Sequence, residues 1–207
     1  MEEYQLNFIN FIKKECTKRN VIVNIVDYPL FIEGESITGS FDGNNLICTT
    51  SDGGWFSILI HEYSHFLQKL ENNKFYLYCI ENFVMQNLMD WWNRKLELLE
   101  DVLDKYFNAV INVEADAERK TNKLIKRWKF PIDIEEKNKS VNTLLYFYSY
   151  MRKTRNPWFD FKCPRGIPEL VNNMPSKILR SYKKLPDSYE EIVTKECYQN
   201  ELVRLYS

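Results

Sequence analysis

Histidine is nearly missing from this sequence: only His61 and His65 occur in 207 residues. A site that needs imidazole must be built around that pair. The five cysteines, Cys16, Cys48, Cys79, Cys163 and Cys197, are odd in number and widely separated, and none stands in the C-x2-C spacing of a zinc ribbon or redox motif. They read as reduced thiols in a reducing compartment. No apolar run approaches the roughly 18 residues that a membrane span needs. The opening Met1-Glu2-Glu3-Tyr4 has acids where a secretory leader has bases. These absences predict a soluble cytoplasmic protein with no membrane partner. A surplus of one charge is lacking too: 28 basic and 29 acidic residues leave a net charge of -1. No global field draws in nucleic acid or an anionic surface, so any partner must be recognised locally. There is no internal repeat and no Gly-, Ser- or Pro-rich linker, which makes residues 1–207 a single expected domain. Gly53-Gly54 lacks a following lysine and is too short for a phosphate loop.

What is present suffices for a core, since 44% of residues are hydrophobic and 15% aromatic. The wealth of Asn, Lys, Tyr and Ile suits an AT-rich genome, such as that of a bacteriophage or low-GC bacterium. Residues 4–18 have the spacing of an amphipathic helix, and Val21 to Val26 alternates as a strand does. Two β-favouring runs between Ile37 and Thr50 flank Asp42-Gly43-Asn44-Asn45, which predicts a hairpin. Ser51-Asp52-Gly53-Gly54 supplies a capping oxygen just before the apolar stretch Trp55 to Leu70, the next expected helix. A proline-free region from about Phe75 to Trp128 reads as two helices, and Ser140 to Lys153 as a Tyr-rich one. Pro157, Pro164, Pro168, Pro175 and Pro186 break the tail into turns and short helices.

The two histidines stand four apart in His61-Glu62-Tyr63-Ser64-His65, the H-E-x-x-H pattern. On an α-helix, positions i and i+4 share a face about 6 Å apart, so both imidazoles can converge on one tetrahedral ion. Glu62 points about 100 degrees round the helix, beside the metal rather than on it, where a general base belongs. Zinc lowers the pKa of bound water towards ~7, and a neighbouring carboxylate can take the proton during attack on a carbonyl and pass it to the leaving amine.

A third protein ligand must be carboxylate or thiolate, since no histidine remains. Asn112-Val113-Glu114-Ala115-Asp116-Ala117-Glu118 places three acids among small residues that allow close helix approach. Glu114 and Glu118 share a face, so one can bind metal while the other accepts a hydrogen bond from a ligating imidazole. Asp116 points elsewhere, and a shift of register would promote it instead.

These residues resemble the gluzincin metallopeptidases, in which H-E-x-x-H is followed by a glutamate ligand on a second helix. Glu114-Ala115-Asp116 also looks like the Glu-Ala-Asp or Glu-Ala-Asn element of the ImmA/IrrE-type metallopeptidases. The resemblance covers mainly residues 37–125. It implies an α+β zincin-like domain, helix-rich with a small mostly antiparallel sheet, whose metal helix lies beneath that sheet. It implies one zinc ion on His61, His65 and Glu114, Glu62 as base, and a protein or peptide substrate. Forty-eight residues intervene between His65 and Glu114, longer than in compact members, which makes the segment with Trp91-Trp92 an elaboration. The late histidine or tyrosine that stabilises the oxyanion in many zincins has stand-ins in Tyr146, Tyr148, Tyr150 and Arg152. For the tyrosines an aromatic core stripe is the favoured reading.

One strand of the 37–50 hairpin is a candidate edge for pairing an extended peptide. Arg119, Lys120, Lys123, Lys126, Arg127 and Lys129 form a basic run, read here as a solvated helix face rather than a nucleic-acid site. Two rival functions follow: a zincin-fold binding or regulatory protein that cleaves nothing, and a nucleic-acid-associated protein using residues 119–129.

Overall fold

A computed structural model describes residues 1–32, 35–155 and 163–196. The expectations at Pro157 and Cys197 lie outside the described residues. The fold is α+β, rich in helix, with five short strands in two small sheets whose strand pairs are two antiparallel and one parallel. It divides into two units, Met1–Leu77 with Ala117–Ile132, and Tyr78–Asp116 with Asp133–Ser207. Helix α5 runs unbroken from one to the other.

The first unit opens with α1 (Glu3–Thr17), β1 (Ile22–Val26), β2 (Leu30–Ile32), β3 (Glu35–Ile37), β4 (Gly39–Phe41), β5 (Asn45–Thr49) and α2 (Trp55–Leu70). In the three-stranded sheet the order is β1-β5-β4, with β1 parallel and β4 antiparallel to β5. The expected hairpin is thus β4–β5. Its turn is built by Asp42, whose Oδ1 accepts from the amides of Asn44 at 2.7 Å and Asn45 at 2.6 Å. Gly43 has φ of +97, a conformation few side chains tolerate. The antiparallel pair β2–β3 was not anticipated, because three-residue strands leave too short a pattern to read.

Leu46 and Cys48 of β5 are fully buried, and α2 packs against β4 and β5 with Leu59 and Ile60 fully enclosed. The expected side-chain cap on α2 is not formed: Gly54 is the capping residue and offers no side chain, while Asp52 Oδ1 accepts from the Gly54 amide at 2.7 Å in a turn just ahead of the helix. Phe8 of α1 anchors the core, its ring meeting those of Phe56, Tyr63, Trp128 and Phe130 at centroid distances of 5.9, 5.8, 5.3 and 5.2 Å. That edge-on aromatic cluster ties α1, α2 and the carboxy end of α5 together.

Between Phe75 and Trp128 there are three helices, not two: α3 (Lys74–Glu81), α4 (Val84–Trp92) and α5 (Glu100–Trp128). The additional break falls at Phe83, which takes φ of 49 without being glycine. Helices here end on other left-handed residues as well, among them Asn72, Arg94, Lys129 and Arg155, and these side chains carry no stop signal of the strength glycine would.

In the second unit α4, the amino half of α5 and α6 (Ile134–Thr154) surround Trp91, Trp92, Phe107, Tyr146 and Phe147. Helix α6 starts earlier than the tyrosine pattern suggested because Asp133 caps it, accepting from the Glu135 and Glu136 amides. A 3-10 turn at Pro164–Gly166, helix α7 (Pro168–Asn172) and helical residues 189–196 follow. Asn142 donates to Pro175 O at 2.7 Å and Lys177 O at 2.9 Å, holding this tail on α6. No described helix is long and apolar enough to cross a membrane.

Phe8→Ala should cost about 3–5 kcal/mol, the range for emptying a buried aromatic site, read as a lower urea midpoint at unchanged slope.

Candidate metal site

Helix α2 presents His61 and His65 on one face. Their Nε2 atoms stand 3.0 Å apart, with ring planes at 89°. Each ring is held from behind. His61 Nδ1 meets Glu118 Oε1 at 3.1 Å, and His65 Nδ1 meets the side-chain oxygen of Gln68 at 2.9 Å. Side-chain exposures of 12% for His61 and 5% for Glu118 leave that contact little screened by water.

Those two acceptors favour the proton at Nδ1 in both rings, which turns both Nε2 lone pairs towards one another. Lone pairs facing at 3.0 Å repel unless a positive centre lies between them. Two nitrogens bound tetrahedrally at 2.0–2.1 Å sit about 3.3 Å apart, close to the spacing found. Glu114 of α5 adds an oxygen, and one ligand atom from each of His61, His65 and Glu114 lies within 4.8 Å of the others. Two imidazoles and a carboxylate are a donor set suited to a divalent cation such as zinc.

Glu114 and Glu118 divide the roles as their four-residue spacing allows: Glu114 faces the ligand group and Glu118 supports His61. Asp116 is not in the group. The position of α5 is secured one turn on, where Ser64 and Thr121, both fully buried, share a hydrogen bond of 3.0 Å. Ser64 also donates to Ile60 O at 2.9 Å, so this polar contact is satisfied within the apolar layer.

Glu62 is 9% exposed and lies beneath β4. A Cβ added to Gly39 would stand 3.1 Å from Glu62 Cγ and 2.8 Å from Ile58 Cγ2, so the strand approaches α2 only because residue 39 has no side chain. Burial, together with the charges of Glu62 and Asp52, pushes the Cys48 thiol up to about 12. Cys48 is not among the residues whose donor atoms come together with the histidines.

The four candidate oxyanion donors separate. Tyr146 packs its ring against Tyr182 at 5.0 Å and Tyr189 at 5.9 Å. The Tyr150 hydroxyl meets Thr194 at 3.3 Å, and Arg152 pairs with Glu100 and Asp104. Burial raises the Tyr148 phenol, the Glu114 charge adds to the rise and Arg165 opposes it, so Tyr148 is the one in the field of Glu114. Cys79 shares that field: burial and then Glu114 push its thiol up to about 12. Trp91 and Trp92 are each 5% exposed and belong to the second unit's core, not to a stacking surface.

Gln68 and Gly39 escaped the sequence reading. Gln68 stands three residues after His65, a helical spacing that brings an amide beside an imidazole and can be read from the sequence. Nothing local marks Gly39, since its role depends on α2 crossing β4. No family model, curated protein or solved structure matches this chain.

Replacing Gln68 by Leu keeps volume and removes the acceptor behind His65. It should weaken zinc binding ten- to a hundredfold, measured by competition with a chromophoric chelator. Gly39→Val should destabilise the fold by about 1–3 kcal/mol, through its clash with Ile58 and Glu62, in denaturant titration.

Proposed function

We propose that this protein is a zinc-dependent metallopeptidase with His61, His65 and Glu114 as metal ligands and Glu62 as general base. The observation that carries the reading is the facing pair of Nε2 atoms at 3.0 Å, each ring backed at Nδ1 by a buried acceptor, with Glu114 in reach.

Zinc held there supplies a Lewis acid that polarises a carbonyl and makes water more acidic. Glu62 then accepts the proton from the attacking water and delivers it to the leaving amine, a shuttle suited to a carboxylate next to, but not on, the ligand face. Glu118 and Gln68 keep the two imidazoles oriented through both steps. Tyr148 is the candidate donor for the developing oxyanion.

The substrate's approach is suggested by β4. It is the last strand of the order β1-β5-β4, antiparallel to β5, and its Gly39 lies against Glu62. An extended peptide adding to that edge by main-chain hydrogen bonds would carry a carbonyl past Glu62.

Elemental analysis should find about one zinc per chain in the wild type and a sharp loss in Glu114→Ala. Glu62→Gln should keep the zinc and lose cleavage of a peptide library by a factor of about a hundred or more. Turnover retained in Glu62→Gln would refute the base. Zinc retained by all variants without any cleavage would leave a metal-holding binding protein in place of an enzyme.

A further inference from the structure

The carboxy half of α5 carries a feature that the metal site does not use. From Arg119 to Ile132 the chain has six basic residues and no acid. At 100 degrees per residue, Arg119, Lys123, Lys126 and Arg127 fall within an arc of roughly 100 degrees. Glu118, Thr121, Leu124 and Ile125, all buried, occupy the opposite arc. Lys123, Lys126, Arg127 and Lys129 are exposed, and among the described residues none of these four is in an ion pair. An ordinary solvated helix face alternates sign, so that each cation has an acid one turn away. This one does not.

Helix α1 extends the face. Phe11 meets Trp128 at 5.1 Å, and Lys14 and Lys18 stand on the same flank of α1 as Phe11, both exposed. Glu15 neutralises Lys18 at 2.6 Å, which leaves Lys14 to continue the positive surface. A chain of net charge -1 therefore carries a local run of cations on this part of the first unit.

We propose that this face binds nucleic acid through the phosphodiester backbone, without reading base sequence. A row of exposed cations on a rigid helix, about 6 Å from Lys123 to Arg127 at 1.5 Å per residue with Lys129 just beyond its end, matches two or three successive phosphates of one strand. A lipid surface fits less well. No large apolar side chain between 119 and 132 is among the exposed ones, and a helix that lies in a membrane interface needs an apolar face to bury.

The test is fluorescence anisotropy of a labelled DNA duplex with the full chain between 50 and 200 mM salt, where two or three phosphate contacts give a log–log slope of about -2 to -3 and an affinity loss of about ten- to fortyfold. The double variant Lys123→Glu, Arg127→Glu should lower affinity at least about tenfold and reduce the slope by about 2. Lys183→Glu with Lys184→Glu makes the same change in net charge at another exposed place and should bind as the wild type does. Thermal melting and zinc content of each variant separate loss of fold or of the metal site from loss of this face. Absence of duplex binding at 50 mM salt, or equal weakening in both double variants, would overturn the proposal. So would displacement of the duplex by polyglutamate or phosphatidylserine vesicles at equal charge concentration, which would assign the face to an acidic protein or a membrane.

Discussion

The close contact of His61 Nδ1 with the Glu118 carboxylate at 3.1 Å, seconded by the hydrogen bond between Ser64 and Thr121 one turn further on, is the constraint on which the arrangement of the site depends. It does two things at once. It sets the register of α2 against α5, because two polar pairs must be met together at buried positions where an unmet partner costs about 1–3 kcal/mol. It also favours a proton on the His61 nitrogen that faces the carboxylate, which leaves Nε2 to be offered to a ligand. Once that register is set, Glu114 lies one helical turn from Glu118 on the same face of an unbroken helix, and its place beside the imidazoles follows.

Around this contact the apolar residues serve as scaffolding for a polar centre. The aromatic cluster on Phe8 grips α1, α2 and the end of α5, and β4 and β5 cover the other side of α2. Gly39 marks where that cover is thinnest. A strand without a side chain at this point comes close enough to shield Glu62 and still leaves the carboxylate next to the strand that ends the sheet. A buried, ionisable group beside a metal-competent donor set is costly to keep in a folded protein, and such groups concentrate where chemistry is done.

Much of this was legible along the chain because it depends on short-range periodicity. The bounds of α2, the β4–β5 hairpin with its Asp42-Gly43 turn, and the sharing of a face by His61 and His65 all follow from spacings of a few residues. The helix break at Phe83 was not legible, because its left-handed conformation is imposed on a residue whose own preference is against it. The short strands β2 and β3 were missed for want of length. Of the tyrosines and the arginine on α6, local pattern could say only that they recur. Their separation into core rings, an ion pair and a neighbour of Glu114 depends on what each turn of α6 meets.

By itself the sequence determined the chemistry available: two imidazoles four apart, a carboxylate between them, and a second helix with acids spaced by one turn. Helical geometry converts those spacings into shared faces whatever the rest of the chain does. Only the tertiary structure decided which acid does what. The choice of Glu114 for the ligand group, Glu118 for His61 and neither role for Asp116 depends on the rotation of α5 about its axis relative to α2. That rotation is set by buried partners such as Thr121, fifty-seven residues from Ser64 in the chain. The sequence also holds six bases after Glu118, but only the burial of the opposite side of α5 shows that four of them, Arg119, Lys123, Lys126 and Arg127, share one face.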